Sequence, residues 1–451
     1  MTIWPTPVLD LLAVGGDRPV FEDGDRVVTA AEMSTMIRRA AAGLRARGIG
    51  PGRGVALRLG VGAEAFAATI AAFAVGARVC GLPAGLTAAQ REHLLSRDDA
   101  VPIDEVAFGD DEPLAAAGRP GDVARIIYTS GSTGRPKGCA QTYAAMSAAW
   151  APCPDRWPPA IAQLAERLDR YLVFGSLSSQ VMLEYGILTL AAGGVLVAAR
   201  SPAFPDAFVR HRATASVITV GKLHQLVRSQ RANPVDLSGL GALMVSGSPL
   251  EPGRLREALD VLGPVVFHGY GQTETGMISM ATPGEMPDSV GRPPAAVSLR
   301  FEDGELYVRT PAQASFYWGD PEESAKVFTG GWVRTRDLAS LGEDGYLRLL
   351  GRARDVIIVQ ATLVCAGPIE RVLATADAVA EAYVVGRPDD ETGEAIHAFV
   401  VPVTGREPDP AELRALVAAR LGPLAAPKTV TVIERVPLTP SGKPDKAALA
   451  A

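Results

Sequence analysis

Cysteine and histidine are scarce in this chain: four of one and five of the other among 451 residues. Cys80, Cys139, Cys153 and Cys365 form no C-x-x-C pair and stand near no histidine cluster. That scatter argues against a structural zinc site and against a disulfide framework. Reduced, mostly buried thiols are expected, and with them a cytoplasmic setting. Basic excess is missing too, since the formal net charge is −6; nothing here has the electrostatic footprint of a nucleic-acid partner. Long apolar runs are also lacking. The most apolar helical stretch, around Phe66 to Val75, is short and bounded by Glu64 and Arg78, so it reads as a buried helix and not as a membrane span. The first residues, Met-Thr-Ile-Trp-Pro-Thr-Pro-Val, lack a basic region followed by an apolar core, and no signal peptide is expected. Internal repeats and a G-X-Y period are absent as well, so the 47 glycines and 35 prolines indicate neither collagen nor disorder.

What is present is an ordinary globular composition, 47% hydrophobic and 21% charged, with ample material for a core. The length exceeds the usual single-domain size, so two or three domains are expected. From Val123 to Tyr270, strand-like runs (Tyr171–Leu177, Gly194–Ala199, Ser216–Val220, Ala242–Val245, Val265–Phe267) alternate with helical patterns (Val181–Ala191, Lys222–Gln230, Arg254–Leu262). This rhythm predicts an α/β fold of parallel, helix-covered sheets. After Gly291 the texture changes to short segments (Ser298–Phe301, Glu305–Arg309, Trp332–Thr335, Tyr346–Leu350) separated by turns at Asp303-Gly304 and Glu343-Asp344-Gly345. These predict a smaller, mostly antiparallel unit over about 292–351. A charged connector, Gly351-Arg-Ala-Arg-Asp355, leads to a last block, 356–451. Strands near Ala382–Val385, His397–Val403 and Val430–Ile433 and a helix near Ala411–Leu421 make it a small α+β domain.

The segment Tyr128-Thr-Ser-Gly-Ser-Thr-Gly-Arg-Pro-Lys-Gly138 joins a mostly apolar run, Val123–Ile127, to hydroxyls, glycines and a lysine. Such a loop can gather N–H groups, hydroxyls and an ammonium around phosphate oxygens. Its glycines permit close backbone approach. No G-x-x-x-x-G-K-[ST] spacing can be read, so it is not a Walker A loop; a flexible connection is the alternative reading. Further on, His268-Gly-Tyr-Gly-Gln-Thr-Glu274 follows a strand. A carboxylate there can hold Mg²⁺ bridging nucleotide phosphates, Thr273 can donate to a phosphate oxygen and Tyr270 can pack on an adenine face. A glycine turn with one exposed acid is the alternative.

The undecamer resembles the phosphate loop of the adenylate-forming superfamily, which contains acyl-CoA synthetases, peptide-synthetase adenylation domains and luciferases. Tyr270-Gly-Gln-Thr-Glu274 is similar to that family's Y-G-x-T-E, and Ser246-Gly-Ser-Pro249 to its adenine-side loop, with Gly247, Ser248 and Pro249 as contacts. Gly331-Trp-Val-Arg-Thr-Arg-Asp337 resembles G-W-x-x-T-G-D, with Arg336 where glycine is usual; a carboxylate suits a vicinal diol, so Asp337 would grip a ribose. Gly351–Asp355 resembles G-R-x-D-D, which implies a ribose contact for Arg352 and a hinge at Asp355. Leu438-Thr-Pro-Ser-Gly-Lys443 is similar to the T-x-x-G-K ending and makes Lys443 the implied catalytic lysine, acting with Thr273 and Glu274. Thr129, Ser130, Gly131, Ser132, Thr133, Gly134 and Lys137 would cradle the leaving phosphates, with Tyr270 and Gly271 along the adenine and Glu274 on the metal.

The resemblance implies a large N-terminal AMP-binding domain (1–351), a hinge (352–355) and a mobile C-terminal domain (356–451). It implies ATP and Mg²⁺ as cofactors and an acyl-adenylate as the first product. CoA or a phosphopantetheinyl carrier protein is the expected acceptor. The stretch after the hinge, Val356–Thr362, departs from the K-x-G-G pattern of thioester-forming relatives at Gln360 and Ala361, and the usual proline and glutamate are replaced by Ala366 and Pro368. An amine or other non-thiol acceptor therefore stays open, and so does an inactive nucleotide-binding homologue. On the acid side Gln180 stands where amino-acid-activating relatives carry an aspartate. A neutral amide does not compensate an ammonium, so an aryl or small acyl acid is expected. Ser179, Gln180, His224, His268 and Gly269 are the pocket candidates; which acid binds and the oligomeric state are not legible.

Overall fold

The structure, a computed structural model, describes residues 2–82, 87–129, 137–247, 250, 252–285, 288–360, 362–403, 405–438 and 444–450. Two mixed, mainly parallel sheets make the large N-terminal part. One has six strands in the order Phe316–Tyr317, Lys137–Thr142, Val123–Thr129, Arg78–Gly81, Gly54–Leu57, Ala100–Ile103. The other has eight: Gly276–Ala281, Val266–Gln272, Ala242–Ser246, Ala215–Thr219, Arg170–Val173, Val195–Ala198, Pro19–Asp23, Arg26–Thr29. In the eight-stranded sheet the parallel strands lie centrally and read as apolar runs because helices cover both faces; Ala242–Ser246, for instance, pairs parallel on both sides.

The helix Ala63–Ala74 is buried at every position except Glu64. An alanine-rich helix that is apolar all round belongs between layers, where small side chains allow close approach. It shares one core with the helices Thr6–Ala13, Ala30–Ala46 and Gln180–Ala191, through Leu12, Ile37, Phe66, Phe73 and Ile187. The helix Ala30–Ala46 starts at a capping box: Thr29 Oγ1 accepts from Glu32 N, and a Glu32 carboxylate oxygen accepts from Thr29 N at 2.8 Å, satisfying two otherwise orphaned donors.

A five-stranded antiparallel sheet follows, Ser298–Glu302, Glu305–Arg309, Trp332–Leu341 and Phe328–Thr329, with Leu347–Arg352 also paired to Trp332–Leu341. Its first hairpin turns on Asp303 and Gly304, both with positive φ (49° and 79°), the two-residue geometry whose twist matches the strands. The last unit is another five-stranded sheet, Thr362–Cys365, Val356–Val359, Gly393–Pro402, Val379–Asp389, with Thr429–Val432 parallel to Gly393–Pro402. The helices Ala366–Leu373 and Pro410–Leu421 close its core over Ile357, Leu373, Ala398 and Val417. The expected α/β class, with a small antiparallel unit and a C-terminal α+β unit, is what the chain forms. No helix among the described residues is long and apolar enough to cross a membrane.

One element differs from expectation. The strand expected to stop at Phe267 runs to Gln272 and pairs antiparallel with Gly276–Ala281. His268, Gly269, Tyr270, Gly271 and Gln272 therefore lie in a ladder, and only the residues from Thr273 to Thr275 turn. The glycines make this possible: a Cβ on Gly271 would stand 2.2 Å from the carbonyl oxygen of Gly276.

Two predictions follow from this hairpin. Gly271→Ala should cost about 2–3 kcal/mol through overpacking against backbone. Gly239→Ala, where a Cβ meets nothing within 4 Å, should stay within about 0.5 kcal/mol in the same urea titration. Equal losses would remove the close-approach argument. Burial pushes the His268 imidazole down to about 4. The unfolded chain then binds more protons between pH 6.5 and 4, so stability falls as pH drops through that window, by on the order of 3 kcal/mol in all. His268→Gln should flatten the pH dependence of the unfolding midpoint there, and an unchanged slope would contradict the assignment.

Candidate active site

The polar loop connects neighbouring antiparallel strands, since Thr129 ends Val123–Thr129 directly opposite Lys137, which opens Lys137–Thr142. Ser130, Gly131, Ser132, Thr133 and Gly134 lie outside the described residues, as do Ser248, Pro249 and Lys443. Lys137 Nζ is 2.6 Å from Glu323 Oε1 and 5.4 Å above the Tyr317 ring. Tyr317 in turn donates its hydroxyl to Glu274 Oε1 at 2.7 Å. Burial, with Glu274 alongside, pushes the Tyr317 phenol far above its ordinary range, so it remains a donor.

Glu274 and Thr273 occupy the turn after Val266–Gln272. That turn is closed by Thr275, whose hydroxyl accepts from Gln272 N at 3.0 Å and donates to the Gly276 carbonyl at 2.8 Å. The period-two alternation of the strand sends Tyr270 and Gln272 to one face, where both meet Asp337. The Tyr270 hydroxyl donates to Asp337 Oδ2 at 2.7 Å, and Gln272 Nε2 donates to the same oxygen at 2.6 Å and to the Thr335 carbonyl at 2.8 Å. Arg352 Nε stands 2.7 Å from Asp337 Oδ1, a consequence of strand register that pairs Asp337 with Arg352. Asp337 is 4% exposed. Burial raises its carboxyl above the usual range, and Arg352, Tyr270 and Gln272 only partly offset that.

Gly247 ends Ala242–Ser246 with φ 96°, beside the strand that carries Tyr270. On the other side, Ser179 is the N-cap of the helix that Gln180 opens. The Gln180 amide nitrogen is 3.7 Å from where a Gly276 Cβ would sit, and the Tyr185 hydroxyl is 3.7 Å from the corresponding point on Gly269. Helix and hairpin thus face each other across two glycines. One turn further, Glu184 lines a cavity of about 20 Å³ with Trp4, Arg125 and Gln141. Burial raises the Glu184 carboxyl against the pull of Arg125. For His224, burial and the charge of Arg254 lower the imidazole, while Glu381 and Glu257 pull it up. Asp355 ends a single 3₁₀ turn, Ala353–Asp355, and its carboxylate holds Lys446 Nζ at 3.0 Å.

Three residues at this site were not singled out from sequence: Gln272, Tyr317 and Glu323. Gln272 is the variable position of a recognisable motif. Tyr317 and Glu323 stand in no motif, and their partners are 43 and 186 residues away.

The donor set suits nucleotide chemistry. Among the described residues no group of three or more His, Cys, Asp and Glu is placed to hold a metal ion. Mg²⁺ needs only one or two carboxylates when phosphates complete its shell, which Glu274 can supply.

Comparison with known proteins bears on the same residues. The stretches 12–107 and 96–318 match the AMP-binding enzyme family, and 368–443 match the AMP-binding enzyme C-terminal domain. A feruloyl-CoA synthase from Amycolatopsis sp is 30% identical over 466 residues, covering 93% of this chain and 93% of that protein. A medium/long-chain-fatty-acid–CoA ligase, FadD8, from Mycobacterium tuberculosis is 33% identical over 380 residues, 77% of this chain; the match covers 64% of that protein's length. Among solved structures, the amide bond synthetase McbA from Marinactinospora thermotolerans superposes with a TM-score of 0.87 at 31% identity over 98% of both chains. Motif order, fold and similarity agree, and the chain belongs to the AMP-binding enzyme family, as an AMP-forming ligase of the adenylate-forming superfamily.

Proposed function

We propose that this enzyme activates an aryl or small acyl acid with Mg·ATP and passes the acyl group to the phosphopantetheine thiol of CoA or of a carrier protein. The observation that carries the first half is the cluster on Asp337, which unites three segments of the chain around one buried carboxylate. Its raised pKa means that burial still outweighs its present donors. Two ribose hydroxyls would supply the missing ones, with Arg352, whose side chain is 47% exposed, giving way at Oδ1. Tyr270 would then lie along the adenine. Magnesium, when bound at Glu274, would neutralise charge on the phosphates.

An oxygen of the substrate carboxylate attacks the α-phosphorus, the bond to the β-phosphate oxygen breaks, and pyrophosphate leaves with the electron pair. Lys137 and the residues between it and Thr129 would hold the leaving group. Lys443 would place a fixed positive charge between attacking carboxylate and α-phosphate, where charge redistributes in the transition state. Because the lysine is on the C-terminal unit, closure onto the large part would assemble the site. In this reading the domain limits are 1–351 and 356–451 around a hinge at Asp355.

The thiol acceptor is supported by relatives that are CoA ligases. A second reading, transfer to an amine, is favoured by the likeness to an amide bond synthetase. It is also favoured by Gln360, which puts a side chain where thioester-forming relatives carry glycine. Gln180 and Gly269 would face the acid; neutral Gln180 suits a hydroxyl or carbonyl substituent better than an ammonium.

A panel of aryl, short acyl and amino acids in ATP–pyrophosphate exchange should give turnover with the first two classes. Adding CoA, a holo-carrier or amines to the preferred acid should then release thioester with one of the thiols; amide alone would replace the leading version with the second. Lys443→Ala should slow adenylation by about 100-fold or more while ATP binding measured by calorimetry is retained. Full-rate adenylation by that variant would remove Lys443 from the mechanism.

A further inference from the structure

Two cations of the site point at one carboxylate oxygen. Lys137 Nζ and Arg336 Nη2 are each 2.6 Å from Glu323 Oε1, and Lys326 Nζ is 3.7 Å from Oε2. Burial opposes ionisation of Glu323, but hydrogen bonds from Lys137 and Arg336 outweigh it and hold the carboxyl at about 2. The group is therefore an anion throughout the neutral range. It offsets the mutual repulsion of the ammonium and the guanidinium that share its Oε1.

The position of this triad matters. Arg336 immediately precedes Asp337 on the same strand. Lys137 closes the polar loop and packs over Tyr317, whose hydroxyl is on Glu274. Contacts thus run from the Asp337 end of the site through Arg336, Glu323, Lys137 and Tyr317 to Glu274. Arg336 also stands where the family pattern has glycine, and it keeps a left-handed backbone, φ 59°, which an L side chain adopts only under strain. A long cationic side chain has been fitted at a point where the backbone favours none, and strain of this kind persists where the surroundings over-determine it.

We propose that Arg336 is a second phosphate-binding cation, acting with Lys137, and that Glu323 is the stand-in anion that holds the pair until the pyrophosphate end of ATP replaces it. A phosphate oxygen can take the place of Oε1 between ammonium and guanidinium, and a guanidinium can bind two phosphate oxygens at once. Glu323 then turns toward Lys326, with which it is already in range. That the polyphosphate is ATP's rests on the adenylation reading; the anion exchange itself does not.

The test is binding, not turnover. Isothermal titrations of the wild type, Arg336→Gly, Arg336→Lys and Glu323→Gln would use three probes: inorganic pyrophosphate, the non-cleavable α,β-methylene analogue of Mg·ATP, and AMP. Glycine is at home at φ 59°, so Arg336→Gly leaves the backbone path intact, which its unfolding midpoint checks. Pyrophosphate and the triphosphate should bind this variant about tenfold more weakly, with AMP unchanged. Arg336→Lys should recover part of the loss, and Glu323→Gln should tighten pyrophosphate several-fold, because no anion has to leave. Unchanged pyrophosphate affinity in Arg336→Gly, or an equal loss for all three probes, would overturn the phosphate role. Weaker pyrophosphate binding by Glu323→Gln would overturn the stand-in role. A chain showing the expected affinities but no pyrophosphate exchange with any acid would refute the proposed function and leave this inference standing.

Discussion

A carboxylate taken almost fully out of water loses several kcal/mol of hydration even after relaxation, and Asp337 is in that position. It is kept by three donors from two stretches of chain: Tyr270 and Gln272 on one strand, and Arg352 across the antiparallel ladder. The bonds are charge-assisted and short, the strong kind. They tie the last pair of strands of the eight-stranded sheet to the small antiparallel sheet. Removing the carboxylate would leave the Tyr270 hydroxyl without this acceptor and Gln272 with only the Thr335 carbonyl. The pKa of Asp337 remains raised despite these partners, so the site is short of donors. In the proposed function, a ligand with adjacent hydroxyls would supply such donors.

The same surroundings explain how the chain tolerates departures from its family pattern. Arg336 and Gln360 both stand where glycine is usual, and both keep left-handed φ, 59° and 50°. Each costs roughly 1–2 kcal/mol, an amount that a neighbouring ion pair or backbone bond can offset. Arg336 has Glu323, and the Gln360 N–H donates to the Thr392 carbonyl at 2.9 Å. Both positions thus keep a left-handed backbone while carrying a side chain.

Much of this was legible in the sequence. The alternation of runs between Val123 and Tyr270 gave parallel strands and covering helices, because buried central strands are continuously apolar. Asp303-Gly304 announced its hairpin through the positive φ that both residues take. The strand through His268–Gln272 was not legible. Two glycines and a run of polar residues look like a loop, and only the partner strand Gly276–Ala281, approaching within reach of Gly271, makes them a ladder. At the site, motifs marked Tyr270, Glu274, Asp337 and Arg352 individually. That Asp337 is the common acceptor of Tyr270, Gln272 and Arg352 follows from strand register, which a period-two pattern leaves undetermined between distant segments. Tyr317 and Glu323 carry no local signal, since a tyrosine near an aromatic run and a glutamate in a helix's first turn have ordinary structural uses.

The C-terminal unit is held by contacts of a different kind. Lys446 Nζ bridges Asp355 at 3.0 Å and Glu370 at 2.8 Å, Arg254 donates to the Ala380 carbonyl at 3.2 Å, and Arg371 donates to the Leu350 carbonyl at 3.4 Å. Polar contacts at a partly wet seam exchange readily with water, and ion pairs that solvent reaches contribute about 1 kcal/mol or less each. The seam can therefore open at modest cost, whereas the cluster on Asp337 cannot. The proposed delivery of Lys443 from the smaller unit would require this division: a rigid cradle in one part, and an attachment weak enough to be remade in another orientation. Lys446 is three residues beyond Lys443 and is paired to Asp355 at the connector. If the connector turns as proposed, the Lys446 ammonium that now pairs with Asp355 and Glu370 is the charge that would have to be re-paired.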